Sequence, residues 1–444
     1  MLVLKFGGTS VGKPERMHAV AELISSSEQK IVVLSAVSGT TNSLVEIAGF
    51  LSKRDNKSAS ASIDKLNALY DAFIPDLYST KEGLEKGKNI VEEHFTFLRS
   101  KRDVEYSAVQ EKEILAEGEL ISTALFQAYL EEIGKNSLLI PALDFMKIDE
   151  NSEPDLKFIE KELSAILKKD AGYDLYITQG YICRNHKGEV DNLKRGGSDY
   201  TASLIGAAIY SSEIQIWTDI DGMHNNDPRI VKRTFPISEL SFDEAAELAY
   251  FGAKILHPTC INPARDRNIP VRLLNTMQPE AHGTLISSST IQREIKAIAA
   301  KDNITAIYIH SSRMLLAYGF LSKVFGVFEK YKTSVDMITT SEVAVSLTID
   351  DTTHLDSIVL ELGTFANVES VESNQTIVCI VGNFVADKSG VAVRVFEALR
   401  QVPIQMISYG GSEHNISILI PSEYKSEALN SLNEGLFVFE GQTV

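Results

Sequence analysis

The sequence predicts an α/β fold with a mostly parallel sheet, followed by a duplicated α+β module. Three observations carry this. Short apolar runs at Leu2–Leu4, Ile31–Leu34, Leu138–Ile140, Leu175–Ile177 and Ile214–Trp217 alternate with segments whose apolar residues recur three or four apart. Two Gly-Gly loops, Gly7-Gly8 and Gly196-Gly197, adjoin such elements. Beyond residue 300 one pattern occurs twice, about 70 residues apart.

Composition sets the bounds. The 444 residues suffice for two or three domains, and 44% apolar with 23% charged residues is ordinary for a globular chain. A net charge of −17 disfavours nucleic acid and anionic membrane as partners. An acidic protein that binds an acidic nucleotide must concentrate cations locally, and Lys5, Arg195, Arg229 and Lys254 are the candidates. Cys183, Cys260 and Cys379 are scattered and lack metal spacing, which points to a reducing compartment. No basic stretch precedes the first apolar run, and no run reaches the roughly 18 residues that span a bilayer. The expected location is the cytoplasm.

The first strand ends at Lys5, and Gly7-Gly8-Thr9-Ser10 follows at once. Adjacent glycines let the backbone approach a ligand and turn its N–H groups towards an anion. The spacing fits neither the P-loop nor the dinucleotide fingerprint. Glu15 to Ile24 reads as a helix and Ile31 to Leu34 as a buried strand. Ser35 to Asn42 is then a loop of small hydroxyl residues, whose plain reading is turn and capping bonds. Both loops lie at carboxyl ends of strands, where ligands gather in such sheets. Leu51 to Ser62 is serine-rich and reads as a surface loop. Ile63–Phe73 and Val91–Leu98 carry helical stripes, and His94 inside the second reads as a packed core residue. Glu111 to Ile133 is strongly helical and stops at Gly134. Its internal Gly118 costs about 1 kcal/mol relative to alanine, so close packing or a ligand should explain it. Glu119 beside it reads, by pattern alone, as a solvated helix face.

Gly188 marks a hairpin turn, and Lys194-Arg195-Gly196-Gly197-Ser198-Asp199 then enters a helix. A basic Gly-Gly segment at a helix N-terminus is a second phosphate cradle. Ser198 and Asp199 equally suit capping. Thr218-Asp219 follows the strand at Ile214–Trp217, and Asn226 to Arg229 forms a loop. Ser241 with Glu244 is a capping box for a helix running to Phe251. Lys254 lies near a chain reversal before His257-Pro258, and Ile269–Leu274 reads as the last strand of this domain. The texture changes over Ser287–Lys301, where a boundary falls. The repeat follows. Helices at Gly319–Glu329 and Gly390–Leu399 lead to strands at Val335–Ile338 and Ile404–Ile407, then to Ser-Glu pairs and alternating strands. No catalytic constellation stands out within it.

Together KFGGTSV (Lys5–Val11), SAVSGTTN (Ser35–Asn42), GEL (Gly118–Leu120), RGGSDYTA (Arg195–Ala202), WTDIDG (Trp217–Gly222), DPR (Asp227–Arg229) and FGAKILHP (Phe251–Pro258) resemble aspartate kinase, in order along the chain. The repeat resembles the tandem ACT domains of that family. The resemblance implies an amino-acid-kinase αβα sandwich over 1–294 and a regulatory region over 295–444. Two ferredoxin-like ACT modules would lie at about 310–375 and 376–444, the second completed by a strand from 295–309. The chain ends after them, so the homoserine dehydrogenase of bifunctional relatives is expected to be absent.

The implied reaction moves the γ-phosphoryl group of ATP, with Mg²⁺, to the β-carboxylate of L-aspartate, the first step towards lysine, threonine and methionine. Lys5 and Asp199 would be catalytic. Thr41, Glu119, Arg195 and Ser198 would bind aspartate, with Arg195 on the α-carboxylate and Glu119 on the ammonium. Gly7, Gly8, Thr9, Ser35, Gly196, Gly197, Thr218, Asp219, His224, Arg229, Lys254 and Ile255 would hold the nucleotide. No residue is expected to be a dedicated metal ligand. His224 stands where some relatives carry a tyrosine near the adenine. For the effector, Met314, Phe320, Leu321, Ser334, Val335, Asp336, Thr340, Ser341 and Glu342 look like the lysine-sensitive monofunctional enzymes. Ala317 replaces a serine of that pattern. Lysine is expected and threonine is the alternative. A homodimer through the ACT modules, or a tetramer, is implied. The rival readings are a kinase of the same fold acting on glutamate, acetylglutamate or a nucleoside monophosphate, and a non-catalytic amino-acid sensor.

Overall fold

The computed structural model describes residues 1–26, 28–194, 196–252, 258–289, 294–311, 318–383 and 389–437. Two compact units result, and each is described by itself. The first comprises 1–223, 238–242 and 255–290, and the second 224–237, 243–254 and 291–444.

In chain order the first unit starts with β1 (Leu2–Phe6), α1 (Pro14–Leu23), β2 (Lys30–Leu34) and α2 (Thr40–Ser52). Three long helices follow: α3 (Asn56–Leu77), α4 (Lys81–Ser100) and α5 (Ala108–Glu132). Then come β3 (Ser137–Leu139), α6 (Ala142–Phe145), α7 (Leu156–Lys169), β4 (Leu175–Gln179) and the hairpin of β5 (Ile182–Arg184) and β6 (Val190–Asn192). The unit closes with α8 (Gly197–Ile209), β7 (Ile214–Thr218), β8 (Glu239–Ser241), the first residue of α9 (Phe242–Tyr250), α10 (Pro258–Asp266), β9 (Val271–Asn275) and β10 (Thr284–Ser287).

Eight strands form one sheet in the order β3-β4-β2-β1-β7-β9-β10-β8. The pairs from β3 to β9 are parallel, and β10 runs antiparallel to β9. Every residue of β2 and β4 is buried, as expected for strands covered on both faces. Helix α5 lies against β2, β3 and β4, while α8 lies against β1, β2 and β7 with α7 and α10 beside it. In register, Phe6 stands opposite both Leu34 and Trp217, and Leu34 opposite Gln179. The chain therefore leaves β1, β2, β4 and β7 along one common edge, on either side of the central β1.

Three details differ from the sequence reading. The serine-rich Leu51–Ser62 stretch is mostly helix, because Asp55 accepts the Ser58 N–H at 3.1 Å and caps α3, while Ala59 and Ile63 are buried. Ile269–Leu274 does not close the sheet: β10 and β8 extend it beyond β9. His94 is not a plain core side chain, since its Nδ1 meets Glu117 Oε2 at 2.6 Å.

The second unit carries the repeat: β11 (Ala297–His310), α11 (Phe320–Lys330), β12 (Ile338–Thr340), β13 (Ala344–Ile349), α12 (Leu355–Leu362), β14 (Asn367–Val381), α13 (Val391–Ala398), β15 (Met406–Tyr409), β16 (Asn415–Pro421) and α14 (Lys425–Leu436). Its antiparallel sheet has the order β12-β13-β11-β14-β16-β15. The long strands β11 and β14 run through both repeats. Their register slips between Lys301 and Ile304, where Asn303 takes φ 61°. On one side of the slip Ile307, Val324, Leu347 and Ile358 form a core, and on the other Val378, Val395, Ile418 and Leu432 form a second. The strands after α11 and α13 begin later than the repeat suggests. Asp336 and Met337 instead donate their N–H groups to Thr348 O and Thr348 Oγ1, both at 2.9 Å.

Within this unit Lys296 Nζ meets Glu244 Oε2 at 2.7 Å, with both side chains only 3% exposed. Removing one member of such a pair strands a buried charge, at about 3–5 kcal/mol. Lys296→Met should therefore lower the free energy of unfolding measured by urea titration by about 3–5 kcal/mol.

Candidate active site

Lys5 ends β1's polar face and Asp199 sits in the first turn of α8. Their side chains meet with Nζ to Oδ1 at 2.6 Å, only 12% and 17% exposed. The ammonium lies so close to Gly7 that a Cβ there would stand 3.3 Å from it. Gly7 thus makes room for the lysine. Its own N–H donates to Trp217 O at 3.3 Å, so that amide serves the fold rather than an incoming anion. Gly8 has a packing reason too, since a Cβ there would meet Ala36 O at 3.0 Å. Thr9 accepts a bond from Arg16 through its carbonyl. Ser10, fully buried, shares a 2.7 Å hydroxyl bond with Thr276 and ties the glycine loop to the end of β9.

The hydroxyl loop after β2 docks on both helical layers. Ser35 donates from Oγ to Ser198 Oγ at 2.9 Å, and its carbonyl accepts from Ser122 Oγ at 2.9 Å. Ala36 N–H donates to Glu119 Oε1 at 3.1 Å. Thr40 bonds Tyr70 at 2.9 Å, and Thr41 is the second residue of α2. Gly118 now has its explanation: a Cβ there would come within 2.8 Å of the Ala36 Cβ. The helix carries glycine so that it can press against this loop.

Glu119 is not a solvated helix face. It is 4% exposed, and its Oε2 has no hydrogen-bond partner among the described residues. Burial pushes its pKa from 4.5 up to about 7, against the pull of the Ala36 amide. A carboxylate in this setting favours a cationic partner.

Gly196 takes φ 75° and Gly197 φ 45°, and they open α8 as its N-cap and first residue. The left-handed backbone at Gly196 favours glycine. The Gly196 carbonyl accepts the Asp199 N–H at 3.0 Å, which sets Asp199 in the turn facing Lys5. Ser198 is buried against Gly180, where a side chain would displace it. Tyr181 next to it takes φ 67° and donates its N–H to Thr201 Oγ1 at 2.9 Å. Thr218 donates to Asp219 Oδ1 at 3.1 Å at the end of β7, with Asp219 exposed.

The fold therefore brings Lys5, Gly7, Gly8, Thr9, Ser35, Thr41, Glu119, Gly196, Gly197, Ser198, Asp199, Thr218 and Asp219 into the first unit, most of them on loops leaving one sheet edge. Arg195, Lys254 and Ile255 lie outside the described residues. His224 and Arg229 belong to the second unit. There the His224 ring meets Thr234 Oγ1 at 3.1 Å, and Arg229 is held by Asp227 through bonds of 2.9 and 2.8 Å. Motif reading passed over Ser122, Gly180, Thr201 and Thr276, which hold these loops in place. The glycine after the β4 strand was the one available signal.

Of the expected effector residues, Met314 lies outside the described residues. Phe320 starts α11 and is buried, Leu321 is 38% exposed, and Val335 packs against the first repeat's core. Ser334 and Glu342 are exposed, Thr340 ends β12, and Ser341 closes the turn into β13 by accepting the Ala344 N–H at 3.1 Å. Asp336 has a fully buried side chain that meets Lys301 Nζ at 2.7 Å.

Gly118→Val would force α5 off the Ala36 loop. Overpacking of this kind costs about 1–3 kcal/mol. The variant should show a lowered melting temperature, read by thermal denaturation.

The chain matches the model of the amino acid kinase family over residues 1–275 and that of the ACT domain over 378–436. Lysine-sensitive aspartokinase 3 of Escherichia coli is 35% identical over 450 residues, covering 98% of this chain and 99% of the relative. Aspartokinase 3, chloroplastic, of Arabidopsis thaliana is 36% identical over 98% of this chain and 81% of the relative. Among solved structures, E. coli aspartokinase III in complex with aspartate and ADP superposes with a TM-score of 0.85 at 34% identity, over 99% of this chain and 100% of that one. The same enzyme in complex with lysine and aspartate gives 0.79, with the same coverage. The chain belongs to the amino acid kinase family and, within it, to the aspartokinases.

Proposed function

We propose that the Lys5–Asp199 pair carries out the phosphoryl transfer of an aspartokinase, from ATP to the β-carboxylate of L-aspartate, giving 4-phospho-L-aspartate. The observation that carries this reading is the ion pair itself, held over Gly7 where the central strand leaves the sheet. The acceptor carboxylate has an ordinary pKa near 3.9 and is already ionised at neutral pH. The reaction needs no general base. It needs two anions brought into line and the moving charge offset. Lys5 supplies that offset, and Asp199 fixes its ammonium in place.

The remaining roles are those that the aspartokinase resemblance implies. Glu119 receives the substrate ammonium through its unpartnered oxygen, Thr41 and Ser198 face the same substrate, and Arg195 grips the α-carboxylate in a bidentate fashion. Gly8, Thr9, Gly196 and Gly197 approach the phosphates, Ser35 fixes the loop beside them, and Thr218 with Asp219 holds the nucleoside end. His224, Arg229, Lys254 and Ile255 are proposed as nucleotide contacts on the aspartokinase resemblance alone. Mg²⁺ favours phosphate and water oxygens with one or two carboxylates, so it comes with ATP, and Asp199 is the carboxylate of this edge suited to its water shell. The metal's contribution is to offset phosphate charge.

The second unit is proposed as the feedback site, with lysine as effector and threonine as the alternative. The similar E. coli enzyme is named lysine-sensitive and has been solved with lysine. Binding would shift the population towards a less active arrangement of a homodimer or tetramer built through the ACT modules. No helix of the described residues is long and apolar enough to cross a membrane, and a cytoplasmic location is proposed.

The first test is ADP release with aspartate, glutamate and acetylglutamate as acceptors, where only aspartate should turn over efficiently. Lys5→Ala should lower kcat by about 10²-fold or more with a smaller change in KM. Arg195→Ala should instead raise the aspartate KM. Near-normal turnover in the first variant, or an unchanged KM in the second, would remove that residue from its role.

The raised pKa of Glu119 gives a pH test. An arriving ammonium stabilises the ionised form, so aspartate binding expels the Glu119 proton. Affinity should then rise with pH through about 7 and level off above it. Calorimetry at pH 7 in two buffers of different ionisation heat should register proton release, and Glu119→Gln should abolish it.

A further inference from the structure

The segment 224–237 carries His224 and Arg229, and three buried asparagines build it into the second unit. Asn225, Asn226 and Asn433 are 0%, 3% and 2% exposed, and Asn433 sits in α14. Asn433 Oδ1 accepts from Asn225 Nδ2 at 3.1 Å and from Asn226 Nδ2 at 3.3 Å, while its Nδ2 donates to Arg233 O at 2.9 Å. Asn226 Nδ2 also donates to Leu429 O of α14 at 3.0 Å. Asn225 joins the two arms of the segment. Its N–H donates to Phe235 O at 3.0 Å, and its Oδ1 accepts the Phe235 N–H at 2.8 Å. Its carbonyl accepts the Ile298 N–H of β11 at 2.8 Å. Apolar packing completes the anchor: Val231 belongs to the second repeat's core, and the Phe235 ring meets Phe437 edge-on with centroids 5.6 Å apart.

From this network a relay runs to an exposed cation. Asn433 holds Asn226, and Asn226 Oδ1 accepts the Asp227 N–H at 2.9 Å. Asp227 in turn clamps Arg229, with Nε to Oδ1 at 2.9 Å and Nη2 to Oδ2 at 2.8 Å. Arg229 itself is 77% exposed. A guanidinium in that much solvent ordinarily samples many rotamers. Here a two-pronged carboxylate contact holds it, and the carboxylate stands on a buried scaffold. A buried polar network whose members are paired specifies one geometry.

We infer that Asn433 and Asn226 are positioning residues for the nucleotide. They hold Asp227 so that Arg229 meets the phosphate oxygens already oriented. The inference rests on the proposed role of Arg229 as a nucleotide contact and deepens it, because it assigns part of the nucleotide affinity to α14, the last helix of the second repeat. Orientation fixed in advance reduces the ordering cost of binding. Its loss should therefore fall on nucleotide affinity and spare aspartate.

The test uses the full chain, with ADP affinity read by calorimetry and KM measured for ATP and for aspartate. Asn433→Leu keeps the side chain's size and removes its three bonds to the segment. Asn226→Ala leaves α14 whole and carries the same test if Asn433→Leu fails to fold. Each should weaken ADP binding and raise the ATP KM by about threefold or more, with the aspartate KM within about twofold of the parent's. Both losses should vanish in an Arg229→Ala background, because the asparagines act through that guanidinium, whereas a general loosening of the fold would persist there. If Arg229→Ala weakens ADP binding while a folded asparagine variant binds ADP as the parent does, the inference is overturned and the Arg229 reading stands. Losses that simply add to that of Arg229→Ala overturn it in the same way. If Arg229→Ala leaves ADP binding unchanged, the Arg229 reading fails and the inference fails with it.

Discussion

The structure of the first unit depends on holding one lysine ammonium still at the carboxyl end of the central strand. Lys5 projects where β1 gives way to the glycine loop, and Asp199 reaches it from the first turn of α8 at 2.6 Å. A lone ammonium with this little solvent around it would lose part of its hydration, and a carboxylate partner restores the balance. The pair fixes the position of a cation without a long, entropically costly search by a free side chain. For a reaction between two anions, a cation held in advance is the main thing a protein can contribute.

Much of the surrounding sequence reads as support for that arrangement. Parallel strands bring the loops after β1, β2, β4 and β7 to one edge in register. Hydroxyl bonds from Ser35 to Ser198 and from Ser122 to Ser35, with the Ser10–Thr276 bond, then stitch those loops to one another. Glycine appears where two backbones or a backbone and a side chain must come closer than a Cβ permits, at Gly8 on Ala36 and at Gly118 on the same residue. The fold accepts about 1 kcal/mol of helix propensity at Gly118 for that contact. It also tolerates an unsatisfied carboxyl oxygen on Glu119, a cost that a cationic substrate would relieve.

The second unit solves a different problem. Each repeat alone offers a small sheet with one helical layer, and a short chain of that size buries little apolar surface. Running β11 and β14 through both repeats fuses the two into one six-stranded sheet with a core at each end. The register slip near Asn303 lets the long strands bend between them. One consequence is that Met337 in the first repeat and Ser412 in the second line a common open pocket.

What could be read in advance was whatever local chemistry dictates. Strand runs, the Gly196-Gly197 segment at the start of α8 and the internal repeat all depend on neighbours within a few residues or on a simple period, so the linear chain displays them. Lys5 beside Gly7-Gly8 was legible for the same reason. Burial was not, because it is decided by residues far away in sequence. Glu119 looked like a solvated helix face until Ala36, 83 positions distant, closed over it. His94 looked apolar by position until Glu117 on the neighbouring helix supplied its partner. The Lys5–Asp199 distance spans 194 positions and exists only because β1 and α8 pack together. Composition and pattern alone determined the fold class and the list of candidate groups. Only tertiary packing decided which of those groups are buried, paired or left waiting for a ligand, because desolvation and charge pairing act through space.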